Sequence, residues 1–231
     1  MKILIIGKNG QVGRCIQEKA VQQRVNFVAS GREDFDIKNQ KQVESYFNQS
    51  HDFDFVINAA AYTSVDKAED EVKLAYAVND LAVQYLAQTC KLYDIPLIHI
   101  STDYVFDGSK ETLYAEDDAP KPLSIYGKSK LAGEKSLQTI WHKHIILRVS
   151  WVFSEYGKNF VKTIIRLANE KKSLAVVADQ YGSPTAANSI ADLILIICRA
   201  QFEQVHPDSR WGLYHYTDFP LTTRNQFATA I

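Results

Sequence analysis

The chain has 231 residues, 46% hydrophobic and 23% charged, with a formal net charge of -1. This is ordinary globular composition with enough length for a substantial core, and the near-zero charge excludes a strong electrostatic footprint for nucleic acid or an anionic membrane. Three cysteines, Cys15, Cys90 and Cys198, are far apart and form no C-x-x-C pair, so neither a disulfide framework nor a zinc site is suggested.

The opening run MKILII ends at Gly7, too short for the apolar core of a signal peptide or a membrane span, and a soluble, cytoplasmic protein is expected. In chain order, residues 2–6 read as a buried strand, 11–22 as a helix, 25–29 as a strand, 39–49 as a helix and 54–58 as a third strand. Residues 74–93 read as one long helix, with Ala75, Val78, Leu81, Ala82, Tyr85 and Leu86 on one face. A fourth strand follows Pro96 at 97–100. A polar loop at 107–123, with Gly108, Pro120 and Pro122, leads to a helix at 126–139 and a fifth strand at 144–149. Beyond it the pattern predicts a helix near 159–170, a strand at 174–178, a helix at 189–200, a strand at 212–216 and the start of a helix at 224–231.

Short apolar strands alternating with helices predict an α/β fold: a Rossmann-type, doubly wound parallel sheet covered by helices on both faces. The expected division is a dinucleotide-binding domain at 1–150. A mixed region at 151–231 would help complete the sheet and form a small substrate-binding lobe. The pattern at 224–231 stops without a cap or polar tail. The lobe is therefore expected to be truncated, or its last segment unusually short. In such sheets ligands lie beyond the carboxyl ends of the strands, so the residues after each strand are the candidates.

After the first strand comes GKNGQVG, with Gly7, Gly10 and Gly13. Glycines there permit a tight turn and close approach to a pyrophosphate, and the helix N-terminus offers free N–H groups and partial positive charge. The second strand runs into Ser30, Gly31 and Arg32. No acid stands at its tip, and Arg32 suits a ribose 2'-phosphate, which favours NADPH over NADH, although Glu33 and Asp34 follow at once. Asp36 and Ile37 are candidates for contact with the adenine.

Of the twelve tyrosines, Tyr126 is followed four residues on by Lys130, a spacing that puts both on one helical face. Free tyrosine is a reluctant acid at neutral pH, and a nearby ammonium is expected to lower its pKa. The preceding strand ends in Ser101, Thr102 and Asp103. A hydroxyl on Thr102 would therefore stand where a substrate carbonyl could bond it beside Tyr126. The six histidines show no ligand spacing, and the acidic run Asp66, Glu69, Asp70 and Glu71 reads as a solvated helix start; no metal site is read from the residues.

The segments GKNGQVG, NAAAYTSVDKAED (58–70), STDYVFDG (101–108), YGKSKLAGE (126–134), RVSWVF (148–153) and DQYGSPT (179–185) run through nearly the whole chain. On them the chain resembles the extended branch of the short-chain dehydrogenase/reductases, and within it the dTDP-4-dehydrorhamnose reductases. The resemblance implies that Gly7, Gly10, Gln11 and Val12 hold the pyrophosphate and that Ala59, Ala60, Ala61, Tyr62 and Thr63 line the cofactor. It makes Thr102, Tyr126 and Lys130 catalytic, with Lys130 also holding the ribose. Asp103, Tyr104 and Trp151 would meet the sugar or its nucleotide, and Asn79 would support the site. It further implies a homodimer, a magnesium site and a place in rhamnose and cell-surface polysaccharide (O-antigen) biosynthesis.

The leading expectation is reduction of the C4 ketone of a dTDP-linked deoxysugar. Two rivals share the fold. A non-catalytic dinucleotide-binding subunit would not need the Tyr126–Lys130 pair. A nucleotide-sugar epimerase or dehydratase would retain its cofactor through the cycle; a dehydratase also needs an added acid and base, and Asp103 is followed by Tyr104 instead of a second acid.

Overall fold

The structure is a computed structural model that describes residues 1–203 and 211–231. Strand β1 (Lys2–Ile6) sends Ile3 and Ile5 to one face of the sheet and Leu4 and Ile6 to the other, as the two-residue period of a strand requires. All four are at most 2% exposed, so apolar character on both faces is what lets this strand sit inside a sheet.

From β1 the chain runs through α1 (Gln11–Gln22), β2 (Asn26–Ser30), α2 (Gln40–Gln49), β3 (Phe55–Asn58), the short α3 (Val65–Ala68) and α4 (Val72–Tyr76). A π-turn at Ala77–Leu81 joins α4 to α5 (Ala82–Leu92). Next come β4 (Leu97–Thr102), a 3-10 turn at Asp103–Val105, α6 (Ile125–Ile140), β5 (His144–Val149), β6 (Val152–Phe153) and α7 (Phe160–Glu170). The chain continues through β7 (Tyr181–Gly182), β8 (Thr185–Ala186), α8 (Ala187–Phe202), β9 (Gly212–Tyr216), β10 (Thr222–Thr223) and α9 (Arg224–Ala230).

Six parallel strands pair in the order β2-β1-β3-β4-β5-β9. The chain winds from β1 to β2, then crosses back over β1 to β3, so winding reverses at β1 and a crevice opens where β1 and β3 end. Residues 35–38, after β2, run as a loop into α2. On one face α1 and α8 bury Cys15, Ile16, Ile190, Ile194 and Leu195 against Ile3, Ile5 and Ile57. On the other, α2, α5 and α6 bury Val43, Phe47, Val83, Leu86 and Leu137 against Leu4, Val56 and Leu97. Each such aliphatic side chain contributes on the order of 1.5–3 kcal/mol of burial.

Residues 174–178 are not a strand. Position six of the sheet, beside β5, is taken by β9, from Ile145↔Gly212 to Val149↔Tyr216, and Val177 stays exposed. The helix expected at 74–93 begins at Val72 and contains the π-turn. After β5 the chain does two things. β9 and α8 extend the sheet and its cover, whereas β6 pairs β8, β10 pairs β7, and α7 and α9 pack beside these short pairs. Among the described residues no helix is long and apolar enough to cross a membrane.

Helix α6 is tied to the sheet by a buried ion pair. Glu134 bonds Arg148 of β5, with Oε2 2.7 Å from Nη2, and also accepts from the hydroxyl of Ser101 on β4. Both charged side chains are under 5% exposed. This lock sets the height of α6 over the strand ends.

Candidate active site

A cleft of about 940 Å³ opens where β1, β3, β4 and β5 end. Its floor is the glycine turn. Gly7 has φ +93°, a left-handed conformation that favours glycine, and its N–H donates to Ser30 O at 2.9 Å. A Cβ on Gly7 would stand 2.7 Å from Ala60 N, and one on Gly13 would stand 2.2 Å from Gly7 O. The turn thus packs α1 against the exits of β1 and β3 as no larger residue would allow. No side chain caps α1, and Gly10, Gln11 and Val12 line the cleft with the helix N-terminus behind them, a cradle that fits a dinucleotide pyrophosphate. Gly13 packs beneath the turn, outside the lining. The Gln11 side chain is otherwise engaged: its Oε1 accepts from Ser154 Oγ and Asn159 Nδ2, leaving backbone to face a phosphate.

At the adenosine end, the two acids that obscured the sequence reading are both taken up by Lys8. Its Nζ lies 3.0 Å from Glu33 and 2.7 Å from Asp34, and Asp34 also accepts from Gly31 N. Lys8 holds the Asp34 carboxyl below its ordinary range. Arg32 is exposed at the rim, with no carboxylate of the described residues within 4 Å of its guanidinium. Asp36 and Ile37 line the same end, with Asp36 turned to Lys38.

Past β3, Ala59, Ala60, Ala61 and Thr63 line the cleft. Tyr62 does not; its hydroxyl is turned outward to Glu71 Oε2. Asn79, presented by the π-turn, grips the Tyr62 backbone from both sides, accepting from its N–H at 2.9 Å and donating to its carbonyl at 3.0 Å. The same amide donates to Ser129 Oγ, which donates to Tyr126 O, so one side chain couples the 59–63 segment to α6. The acidic run is more than a solvated start: Glu69 also accepts from Ile125 N at the head of α6.

Helix α6 begins at Ser124, whose hydroxyl accepts from Gly127 N, and this cap sets Tyr126 in the first turn. Thr102 ends β4. Its Oγ1 donates to Asp103 Oδ1 at 3.0 Å and accepts from Tyr104 N at 3.2 Å. The Tyr126 ring meets Tyr104 edge-on, with centroids 5.6 Å apart. Burial raises the Tyr126 phenol above its ordinary pKa, against a hydrogen bond with Thr102 that lowers it. The expectation of a depressed phenol is therefore corrected, and the reason is where Lys130 lies. Its Nζ donates to Ile100 O at 2.7 Å and sits 3.2 Å from His99 Nε2, not on the phenol. Burial lowers Lys130 itself to about 8. Asp103 is raised to about 6, chiefly by burial, with the Thr102 bond opposing.

The far wall comes from the residues after β5. Trp151 adopts φ +44° and packs its indole against Gly182. Arg224 lays its guanidinium 3.7 Å from the Trp151 ring centroid and 5.0 Å from that of Phe160. Arg224 was missed in the sequence, where nothing distinguishes it from any other arginine. It lines the cleft beside Asp103 and Tyr104, has no carboxylate of the described residues within 4 Å, and burial lowers its pKa. His99 was also missed, although it is the one polar residue inside the buried run LIHI.

The cleft thus gathers Thr102, Tyr126, Lys130, Asp103, Tyr104, Trp151 and Arg32 along one wall-to-wall groove with the glycine turn. Among the described residues no group of three or more His, Cys, Asp or Glu could hold a metal ion, so the magnesium site implied by resemblance finds no donor set there.

Comparison with known proteins gives a consistent neighbourhood. The family model for the RmlD substrate binding domain matches residues 1–231. A dTDP-4-dehydrorhamnose reductase of Aggregatibacter actinomycetemcomitans is 46% identical over 231 residues, covering 100% of this chain and 78% of that protein. Two solved dTDP-4-dehydrorhamnose reductases are similar in structure. That of Clostridium acetobutylicum has TM-score 0.91 and 37% identity over 99% of this chain and 78% of its own. That of Bacillus anthracis, in complex with NADP, has TM-score 0.91 and 36% identity over 99% of this chain and 79% of its own.

Proposed function

This chain belongs to the RmlD substrate-binding-domain family, and from that membership and the cleft above we propose that it is a dTDP-4-dehydrorhamnose reductase that uses NADPH to reduce the C4 ketone of a dTDP-linked deoxysugar. The observation that carries the reading is that Tyr126, Thr102 and Lys130 line the same cleft as the glycine turn. A bound nicotinamide dinucleotide supplies hydride. Tyr126, kept protonated by burial, gives the proton to the ketone oxygen. For Thr102 to bond that oxygen, its proton must turn away from Asp103. Trp151 and Tyr104 flank the sugar, and Arg224 faces the diphosphate of the nucleotide. The same reading places the enzyme in the cytoplasm, in rhamnose biosynthesis.

Mixing the protein with NADPH and dTDP-4-dehydro-L-rhamnose tests the proposal. Loss of NADPH absorbance with formation of dTDP-L-rhamnose is expected; cofactor binding without oxidation would leave a dinucleotide-binding module instead.

Two substitutions divide the cleft by ligand. Arg32→Ala is expected to raise KM for NADPH about 10- to 100-fold and leave NADH almost unchanged. A charge-assisted hydrogen bond contributes about 1.5–3 kcal/mol, and 1.4 kcal/mol is a factor of ten. Equal losses with both cofactors would remove the 2'-phosphate from Arg32. Arg224→Ala is expected to raise KM for the nucleotide sugar by about tenfold or more, on the same scale, with KM for NADPH unchanged. Competition by dTDP should weaken in parallel, and an unaltered dTDP affinity would take the diphosphate away from this residue.

A further inference from the structure

The segment 154–159 joins β6 to α7 and is pinned to the head of α1. Gln11 Oε1 accepts from Ser154 Oγ at 3.0 Å and from Asn159 Nδ2 at 2.8 Å, the two ends of the segment. Asn159 Nδ2 also donates to Ser154 O at 2.7 Å, which closes the segment on itself. Between these ends the Tyr156 hydroxyl donates to Glu18 of α1, and the Arg14 guanidinium lies 5.3 Å from the centroid of the Tyr156 ring. Gly157 turns with φ +61°, and a Cβ there would stand 3.2 Å from Gln11 Cγ, so the turn rests on the first residue of α1. Gly157 and Lys158 thereby line the same cleft as Gly10, Gln11 and Val12.

Charge decides what this placement is for. A pyrophosphate is doubly anionic, and the head of α1 supplies only roughly half a unit of positive charge. The other cations around it are engaged elsewhere. Lys8 holds Glu33 and Asp34, and Arg14 lies on Tyr156. Lys162, in the first turn of α7, donates to Glu155 O. Of the cations lining the cleft, Lys38 pairs with Asp36 and Lys130 bonds Ile100 O. Arg32 stands at the adenosine end, and Arg224 lies on Trp151 at the far wall. Lys158 is exposed and, among the described residues, has no carboxylate within 4 Å of its ammonium. Resting on a nicotinamide dinucleotide as the cofactor of the reductase, we propose that Lys158 is a binding residue for the cofactor pyrophosphate, held over the head of α1 by the Gln11 clasp. The proposal gives the Gln11 side chain a purpose that its backbone does not share: it fixes the segment that carries the cation. A lysine suits the place, since a point charge on a flexible stem meets phosphate oxygens without imposing a geometry, and the backbone of the turn sets the register.

The test is the dissociation constant of NADPH, NADH and ADP-ribose for the full chain without sugar, by calorimetry. Lys158→Ala should weaken all three by about five- to tenfold, because all three carry the pyrophosphate. Affinities for 2'-AMP, which has no pyrophosphate, and for dTDP should stay at the wild-type value. Lys158→Arg should keep most of the dinucleotide affinity, and Lys158→Glu should lose more than Lys158→Ala. The gap between wild type and Lys158→Ala should narrow between about 0.05 and 0.5 M salt, as screening of an exposed charge requires. Gln11→Leu releases the segment, and in that background Lys158→Ala should weaken binding by less than about twofold. Dinucleotide affinities unmoved in both Lys158→Ala and Lys158→Glu overturn the proposal. So does a loss confined to dTDP, which would put the ammonium on the sugar nucleotide, and a full Lys158→Ala loss in the Gln11→Leu background overturns the clasp. Failure to oxidise NADPH with the nucleotide sugar, alongside the expected binding losses, sinks the reductase reading and leaves this one standing.

Discussion

Tyr126→Phe is expected to lower kcat by about 10²- to 10⁴-fold, the usual share of a positioned general acid, while NADPH binding stays near normal. The substitution deletes one hydroxyl and keeps the ring, so the edge-on contact with Tyr104 survives and α6 has no reason to move. The loss should fall on kcat because the phenol acts at the ketone, whereas the pyrophosphate cradle lies at the head of α1. Burial holds the phenol above its ordinary pKa, so the proton donor should stay intact through neutral pH and the wild-type rate should show no loss of acid from Tyr126 below about pH 10. Single-turnover rates with the nucleotide sugar, beside NADPH binding by fluorescence, measure the two separately. Full turnover in the variant would remove Tyr126 from the chemistry.

Glu134→Ala should cost about 3–5 kcal/mol of stability, because it strands the Arg148 guanidinium in the core and deprives Ser101 of its acceptor. At roughly 2–4 °C per kcal/mol for a chain of this size, thermal unfolding should register a fall of about 6–20 °C. The double replacement Glu134→Met with Arg148→Met is expected to recover most of that loss, since it removes both charges together and fills the space with apolar atoms. If the single variant melts with the wild type, the pair is not what secures α6. Activity should fall with stability in the single variant, since Tyr126 and Lys130 ride on the same helix.

The strands and the glycine turn were legible because their signals are local. Ile3, Leu4, Ile5 and Ile6 alternate faces within one strand, and GKNGQVG carries its own steric argument at Gly7 and Gly13. Tyr126 and Lys130 were legible as a helical pair. Their electrostatic relation was not, because the lysine's partners, His99 and Ile100, come from a different strand. The apolar run at 174–178 has strand propensity, but the place beside β5 is taken by β9, 38 residues on; propensity yields to tertiary competition there.

The linear order of residues by itself determined the alternation of strand and helix, the glycine turn after the first strand, and the presence of a tyrosine, a lysine and a threonine at neighbouring strand and helix ends. Each is a matter of periodicity or spacing within a dozen residues or so. Only the folded chain decided that Lys8 neutralises Glu33 and Asp34 and so frees Arg32, that Arg224 lies across Trp151, and that Lys130 bonds the Ile100 carbonyl beside His99. Those outcomes depend on distances between atoms 25 to 73 residues apart. Charge pairing, desolvation and hydrogen-bond direction act through space, and no pattern along the chain encodes them.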